Sequence, residues 1–382
     1  MKRITLGSLF DGSGGFPLAG ALNGIIPVWA SEIEPYPLRV TAARFPSMAQ
    51  LGDVTQIDGS KIAAVDIVTF GSPCQDLSIA GKQEGIHKGT RSSLFFEAIR
   101  IIREMRERDK AAGRAARDVR PRFAVWENVP GAFSSGGGSD FRAVLENIAR
   151  VAANGISIPR PPRGEWDNAG CVVSDEWSIA WRVYDAQHWG VPQRRRRIYL
   201  VADFGSERAG EILFERESLC GNFEASEKER QGTPADIEGG AGGGGDSVAI
   251  YDARGNGNGD TAPTLIGDHP RRVSDYTALC VGNGQLNQMS MAEQANTLDC
   301  MHDQQAVITN GKPPRKYIVR RLTPLECCRL QGFPDWWEDD VEGSDTARYK
   351  MWGNGIALPC AADVLRRIAK EVRANERATD SF

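Results

Sequence analysis

Four segments carry residues whose types and spacing suit chemistry. The first is Phe10-Asp11-Gly12-Ser13-Gly14-Gly15, directly after an apolar run; glycines there let the backbone turn tightly and approach a ligand closely. Glu32 follows the second apolar run, where a carboxylate can accept hydrogen bonds from ribose hydroxyls, and Asp53 in Gly52-Asp53-Val54 suits an adenine amino group. The spacing is not GxGxxG, which tilts against a dinucleotide; the segment alone says only that a nucleoside-containing cofactor fits. The second segment is Gly71-Ser72-Pro73-Cys74-Gln75, just past the run VDIVTF. A lone cysteine is more often a small buried hydrophobe. Cys74 instead sits at the carboxyl end of a predicted central strand, where α/β proteins place ligands and where a thiolate can act as nucleophile. The third is Glu127-Asn128-Val129 at the end of the next run; an isolated Glu there reads as a turn carboxylate, but it can also converge with Cys74 on one substrate. The fourth is Gln193-Arg194-Arg195-Arg196-Arg197 leading into RIYLVADF, where strand alternation puts Arg195 and Arg197 on one face.

These segments need a scaffold that brings strand ends together. Residues 3–10, 25–31, 65–71, 122–126 and 197–203 read as strands, several separated by helical patterns, which predicts βαβ units and a mostly parallel sheet. After Ser92-Ser93, Phe95, Ile99, Ile102 and Met105 mark one helix face; Phe141, Val144, Leu145 and Ile148 mark another over about 140–153, and a third helix spans about 361–374. Thr323-Pro324-Leu325-Glu326 reads as a capped helix start. Residues 205–315 are glycine-rich and poorly periodic, as in an inserted loop-rich lobe, and 154–177 is a smaller surface insertion.

The chain has 382 residues, a charge of −4, and 41% hydrophobic and 25% charged residues, which excludes wholesale disorder and gives no global sign of a nucleic-acid binder. No apolar run is long enough for a membrane span. Eight cysteines without a CxxC pair and four histidines make a zinc site or disulfide framework improbable; no metal is expected, and a reducing, cytoplasmic compartment fits.

The ordered series FDGSGGF, GDV, GSPCQDLS, ENV, QRRRRIYLVA, RRLTPLE with RLQGFP, and GNGIALP closely resembles the DNA (cytosine-5)-methyltransferases of bacterial and phage type, from Leu9 to Pro359. The resemblance implies an α/β fold: a Rossmann-like S-adenosylmethionine-dependent methyltransferase sheet with a smaller, loop-rich target-recognition domain. Residues 1–204 completed by 346–382 would form the catalytic domain, and 205–345 the recognition domain. It implies methyl transfer to carbon 5 of a cytosine flipped out of a specific double-stranded DNA sequence. Cys74 would be the nucleophile that adds at carbon 6. Glu127 would contact ring nitrogen 3 and the exocyclic amine, with a raised pKa; Arg197 would hold the ring carbonyl and Arg195 would support the site. Phe10 would stack on the adenine of S-adenosylmethionine, with Gly12, Gly14, Gly15, Glu32, Asp53 and Asn354 completing that pocket. Asp11, where the family has a small apolar residue, and Gly355, where it often has Ser, depart from the pattern.

Phosphate contacts are expected from Lys82, Lys88, Arg91, Arg194, Arg196 and the Lys312–Arg321 cluster, with the acidic run at 338–345 facing away from the duplex. The architecture suggests a monomer, with a cognate restriction endonuclease as a possible partner. Rival readings are an RNA methyltransferase, an NAD-dependent oxidoreductase, a catalytically dead DNA-binding regulator, and a hydrolase pairing Cys74 with His188.

Overall fold

The computed structural model describes residues 3–73, 94–162, 164–214, 248–252, 277–281, 307–308, 315–316 and 322–379. The apolar runs fold as strands β1 (Ile4–Leu9), β2 (Ile25–Ser31), β3 (Ala49–Gln50), β4 (Ile67–Phe70), β5 (Phe123–Asn128), β6 (Ala169–Val173), β7 (Ser178–Asp185) and β8 (Arg196–Asp203). They form one sheet in the order β3-β2-β1-β4-β5-β8-β7-β6. β1 to β5 run parallel; β8 is antiparallel to β5, and β6 to β7. β4 and β5 are buried along their whole length, as central strands covered on both faces must be.

Helices α1 (Gly15–Leu22), α2 (Pro35–Arg44), α3 (Leu94–Ala111), α4 (Ser139–Ala152) and α5 (Ala209–Phe214) flank this sheet in sequence. The expected faces of α3 and α4 are the buried ones: Phe95, Ile99, Ile102 and Met105, and Phe141, Val144, Leu145 and Ile148. Three strands of this sheet, β3, β6 and β7, were not expected from the sequence; β3 is only two residues long. β6 is built of small residues, and Arg182 interrupts the apolar pattern of β7. β6 lies inside the 154–177 insertion.

The chain divides into two compact units, one of Met1–Tyr184, Arg196–Glu217 and Cys360–Phe382, the other of Asp185–Arg195 and Ser218–Pro359. The second unit contains α6 (Pro324–Leu330) and α7 (Asp345–Asn354). The last helix, α8 (Leu358–Thr379), returns the chain to the first unit. The division differs from the expected boundaries at 204 and 346, and hydrogen bonds account for it. Leu358 N donates to the Gln331 carbonyl at 2.9 Å, and Arg195 Nη2 to that of Gly355 at 2.5 Å, so 353–358 and 185–195 are tied into the second body. The capped helix start is present in full: Thr323 and Glu326 form a reciprocal capping box at α6. Among the described residues, no helix is long and apolar enough to cross a membrane.

Candidate functional site

β1 has β2 on one side and β4 on the other, so the chain changes direction at its carboxyl end, where such sheets open a crevice. The loop there is held in left-handed backbone: Phe10 has φ 57°, Gly12 55° and Gly14 79°. For a phenylalanine this is uncommon and marks a constrained site. Gly14 is the residue before α1, whose first residue is the buried Gly15. The Gly12 amide donates to Glu32 Oε2 at 2.7 Å, while Glu32 Oε1 accepts the amides of Ile33 and Glu34 at 2.7 and 2.8 Å. Glu32 is thereby aimed before any ligand arrives; Oε1 already accepts two amides, and Oε2 keeps a lone pair for a ligand. Asp53 is exposed; its Oδ1 accepts the Thr55 amide at 2.9 Å, and the Ser31 hydroxyl donates to the neighbouring Gly52 carbonyl at 2.6 Å. Phe10, Gly12, Gly14, Gly15, Glu32 and Asp53 thus gather at one end of β1, β2 and β3. Among the described residues, nothing lies within 4 Å of where a Cβ on Gly12 would stand, which leaves open space above the loop.

Asp11 is buried in the same loop, a role the sequence did not show. Burial pushes its carboxyl up to about 8; the Ser8 hydroxyl, 2.6 Å from Oδ1, acts against the rise and the negative charge of Glu32 adds to it. Asp11 is therefore protonated at neutral pH, and its Oδ2 has no hydrogen-bond partner among the described residues.

The next two strand ends form the second half of the site. β4 stops at Phe70 and the chain continues through Gly71, Ser72 and Pro73; Cys74 lies outside the described residues. β5 fixes the approach to it. Asn128 Nδ2 donates to the Ser72 carbonyl at 3.0 Å, and Trp126 Nε1 to the Ser72 hydroxyl at 3.1 Å. Between these two residues Glu127 faces Gly71, where an added Cβ would lie 3.2 Å from Glu127 Oε2. Glu127 is opposite Tyr199 in the antiparallel register, so Arg197 is its diagonal neighbour on the same face. Arg197 Nε pairs with Glu127 Oε1 at 3.2 Å, with both side chains largely buried.

Arg195 does not share that face. β8 begins at Arg196, and Arg195 is buried in the second unit. Its Nη2 donates to the carbonyls of Gly353 and Gly355 at 3.4 and 2.5 Å, and its amide to Asp185 Oδ1 at 3.3 Å. The expected alternation fails because the strand starts one residue later than the arginine run. Arg195 instead braces the turn around Asn354, which is exposed and itself belongs to the second unit. Gln331 Nε2 supports the same turn through the Trp352 carbonyl at 2.8 Å.

Of the cations expected on phosphates, Arg194 and Arg196 are exposed and Arg315 and Lys316 form a short strand; Lys82, Lys88, Arg91, Lys312, Arg320 and Arg321 lie outside the described residues. The acidic run does not behave as one surface. Glu338 is buried, pairing with Arg348 at 3.0 Å and accepting Trp352 Nε1 at 2.8 Å. Among the described residues, no cluster of three or more histidine, cysteine or acidic side chains is placed to hold a metal.

The fold is a Rossmann-like α/β sheet with a glycine loop after β1 and an acid–arginine pair on adjacent strands, and comparison with known proteins gives its class. The family described as C-5 cytosine-specific DNA methylase matches residues 4–152 and 172–370, and the chain belongs to this family. It is a DNA cytosine-5-methyltransferase. It is 26% identical to the type II methyltransferase M.HhaI of Haemophilus parahaemolyticus, covering 95% of this chain and 92% of that protein. It is 27% identical to a DNA N-6-adenine-methyltransferase of Escherichia phage P1, covering all of this chain; the chain spans 63% of that protein's length. The solved structure of S. pombe Dnmt2 methyltransferase superposes with a TM-score of 0.61 at 15% identity, over 97% of this chain and 99% of that one.

Proposed function

We propose that the protein transfers a methyl group from S-adenosylmethionine to carbon 5 of a cytosine flipped out of a specific double-stranded DNA sequence, through a covalent adduct with Cys74. The observation that carries this reading is the Glu127–Arg197 pair, 3.2 Å apart beside Gly71. Ring nitrogen 3 and the carbonyl oxygen of cytosine are neighbours, so the groups that grip them must be neighbours too. Glu127 takes nitrogen 3 and the exocyclic amine, and Arg197 the carbonyl oxygen. Asn128 and Trp126 hold Ser72, two residues before Cys74, and so limit where the thiolate can stand.

The loop fits the cofactor. Gly12 leaves open space, Glu32 Oε2 presents a lone pair for a ribose hydroxyl, and Phe10 and Asp53 take the adenine. A protonated Asp11 keeps negative charge away from the start of α1, where a carboxylate ligand is favoured. Gly12, Gly14 and Gly15 supply the backbone there; Asn354, on the turn that Arg195 braces in the second unit, is the remaining residue that the family resemblance assigns to the cofactor. When bound, S-adenosylmethionine supplies an electrophilic methyl on a sulfonium. Cytosine carbon 5 is too electron-poor to take it unaided. Addition of the Cys74 thiolate at carbon 6 turns carbon 5 into an enamine-like nucleophile. After transfer the carbon-5 proton leaves, the carbon–sulfur bond breaks, and Cys74 returns as thiolate. Arg194 and Arg196 serve the DNA phosphates, which makes binding salt-dependent.

A second reading, attack by the exocyclic amine of adenine, comes from the name of the phage P1 relative. That chemistry needs no thiolate, so the Gly71–Cys74 segment favours cytosine. A duplex bearing 5-fluorocytosine distinguishes them. Fluorine cannot leave carbon 5 as a cation, so the elimination stalls and the adduct accumulates. A denaturant-stable complex whose linked peptide contains Cys74, absent in Cys74→Ser, is expected. No adduct, or one mapped to another residue, overturns the proposal.

A further inference from the structure

We propose that the outward edge of β6 receives an extended peptide of another protein, apolar at alternate positions and flanked by lysine or arginine, as a ninth strand of the sheet. The inference is independent of the methyl-transfer reading, because it uses none of the residues assigned to that reaction and the family match leaves out Ala169, Gly170 and Cys171 of β6. The family match breaks between residues 152 and 172, across most of the insertion that holds this strand.

β6 is the last strand of the sheet and pairs only with β7 among the described residues. The ladder fixes which of its groups are spoken for. Val183 N donates to the Asn168 carbonyl at 2.7 Å and Ser174 N to that of Trp177 at 2.9 Å. In an antiparallel register, hydrogen-bonded positions alternate. Residues 168, 170, 172 and 174 therefore face β7, and the amides and carbonyls of Ala169, Cys171 and Val173 point outward. Natural edges are guarded by charge, proline or a bulge. The sequence Ala-Gly-Cys-Val-Val has no charge or proline, and its register with β7 is continuous; Val173 is 55% exposed and Cys171 is exposed.

Beside this edge lies a cavity of about 550 Å³ lined by Ile156, Ile158, Trp166, Val172, Trp177 and Trp181, suited to alternate apolar side chains of an added strand. Its ends are acidic. Glu165 and Asp167 precede β6 and Asp175 and Glu176 follow it; all four are exposed, and none forms an ion pair among the described residues. These four carboxylates, with Arg196 bonded to Asn168 Oδ1 at 3.3 Å beside them, favour a peptide with basic flanks. They also disfavour a second copy of the chain. Antiparallel pairing of two β6 strands about Cys171 would set Asp167 of one against Asp175 of the other.

The test uses the full chain and a fluorescein-labelled peptide, Lys-Lys-Val-Thr-Val-Thr-Val-Lys-Lys, read by anisotropy. Saturable binding is expected, weakened at least about tenfold by N-methylating alternate peptide amides, which blocks strand pairing. The Cys171→Pro variant removes one outward amide and leaves the bonds to β7, and should weaken binding by a similar factor. Asp175→Lys with Glu176→Lys should weaken it and flatten its salt dependence. Absent binding overturns the proposal, as does binding that survives N-methylation, which also covers a Cys171→Pro chain that fails to fold. A concentration-dependent dimer that the charge reversal strengthens would give the edge to a second copy and overturn it equally.

Discussion

Asp11→Asn is expected to make the protein more stable, and the gain should grow with pH. In the unfolded chain the Asp11 carboxyl titrates near its ordinary 3.8; in the fold it holds its proton up to about 8. Between those values the folded state binds a proton that the unfolded state has lost, so stability falls as pH rises. The slope is about 1.4 kcal/mol per pH unit, and from pH 5 to 7 the wild-type chain loses about 3 kcal/mol through this one group. Below the unfolded value the contribution is fully present, and above about 8 nothing further is lost. Asparagine copies the shape of the protonated side chain and can keep the contact with Ser8, but it has no proton to lose. Urea unfolding at pH 5, 6, 7 and 8 should show wild type and variant drawing apart by roughly that slope, with unchanged denaturant dependence. A difference that stays flat across this range would refute the assignment of Asp11 as a buried, protonated acid.

Three further substitutions test the geometry. Arg195→Met leaves the Gly353 and Gly355 carbonyls without their donor and should cost about 3 kcal/mol, with faster amide exchange over 353–358 and an unchanged Glu127–Arg197 strand pair. Gly71→Ala puts a Cβ 3.2 Å from Glu127 Oε2 and should lower kcat about tenfold by shifting the carboxyl a few tenths of an ångström, while unfolding moves by less than about 1 kcal/mol. Gly12→Val strains a residue at φ 55° by about 1–2 kcal/mol and fills the space above the loop; cofactor affinity measured by calorimetry should fall more than affinity for DNA.

The parts of the molecule that were legible in the sequence are those with local periodicity or a motif at a strand end. The faces of α3 and α4, the capping box at Thr323 and the loop after β1 all follow from neighbouring residues alone. Glu127 and Arg197 come together because β5 and β8 are antiparallel neighbours, and the sequence supplied the residues but not that register. Arg195 was misplaced because a run of arginines carries no mark of where the strand begins. Asp11 stands among glycines, where an aspartate reads as a solvated turn; only the packing of β1 against β2 and β4 encloses it. Glu338 likewise looks like one charge in an acidic run until Arg348 and Trp352 close over it. β6 gave no signal, since small residues at an edge form a strand only when β7 pairs with them.

The central claim is tested most directly by incubating the protein with methyl-labelled S-adenosylmethionine and unmethylated double-stranded DNA, with RNA as competitor, and digesting the product to nucleosides. The account predicts label recovered as 5-methylcytosine from DNA, lost in Cys74→Ser and undiminished by RNA. Label in N6-methyladenine, label in RNA, or full activity in Cys74→Ser would contradict it.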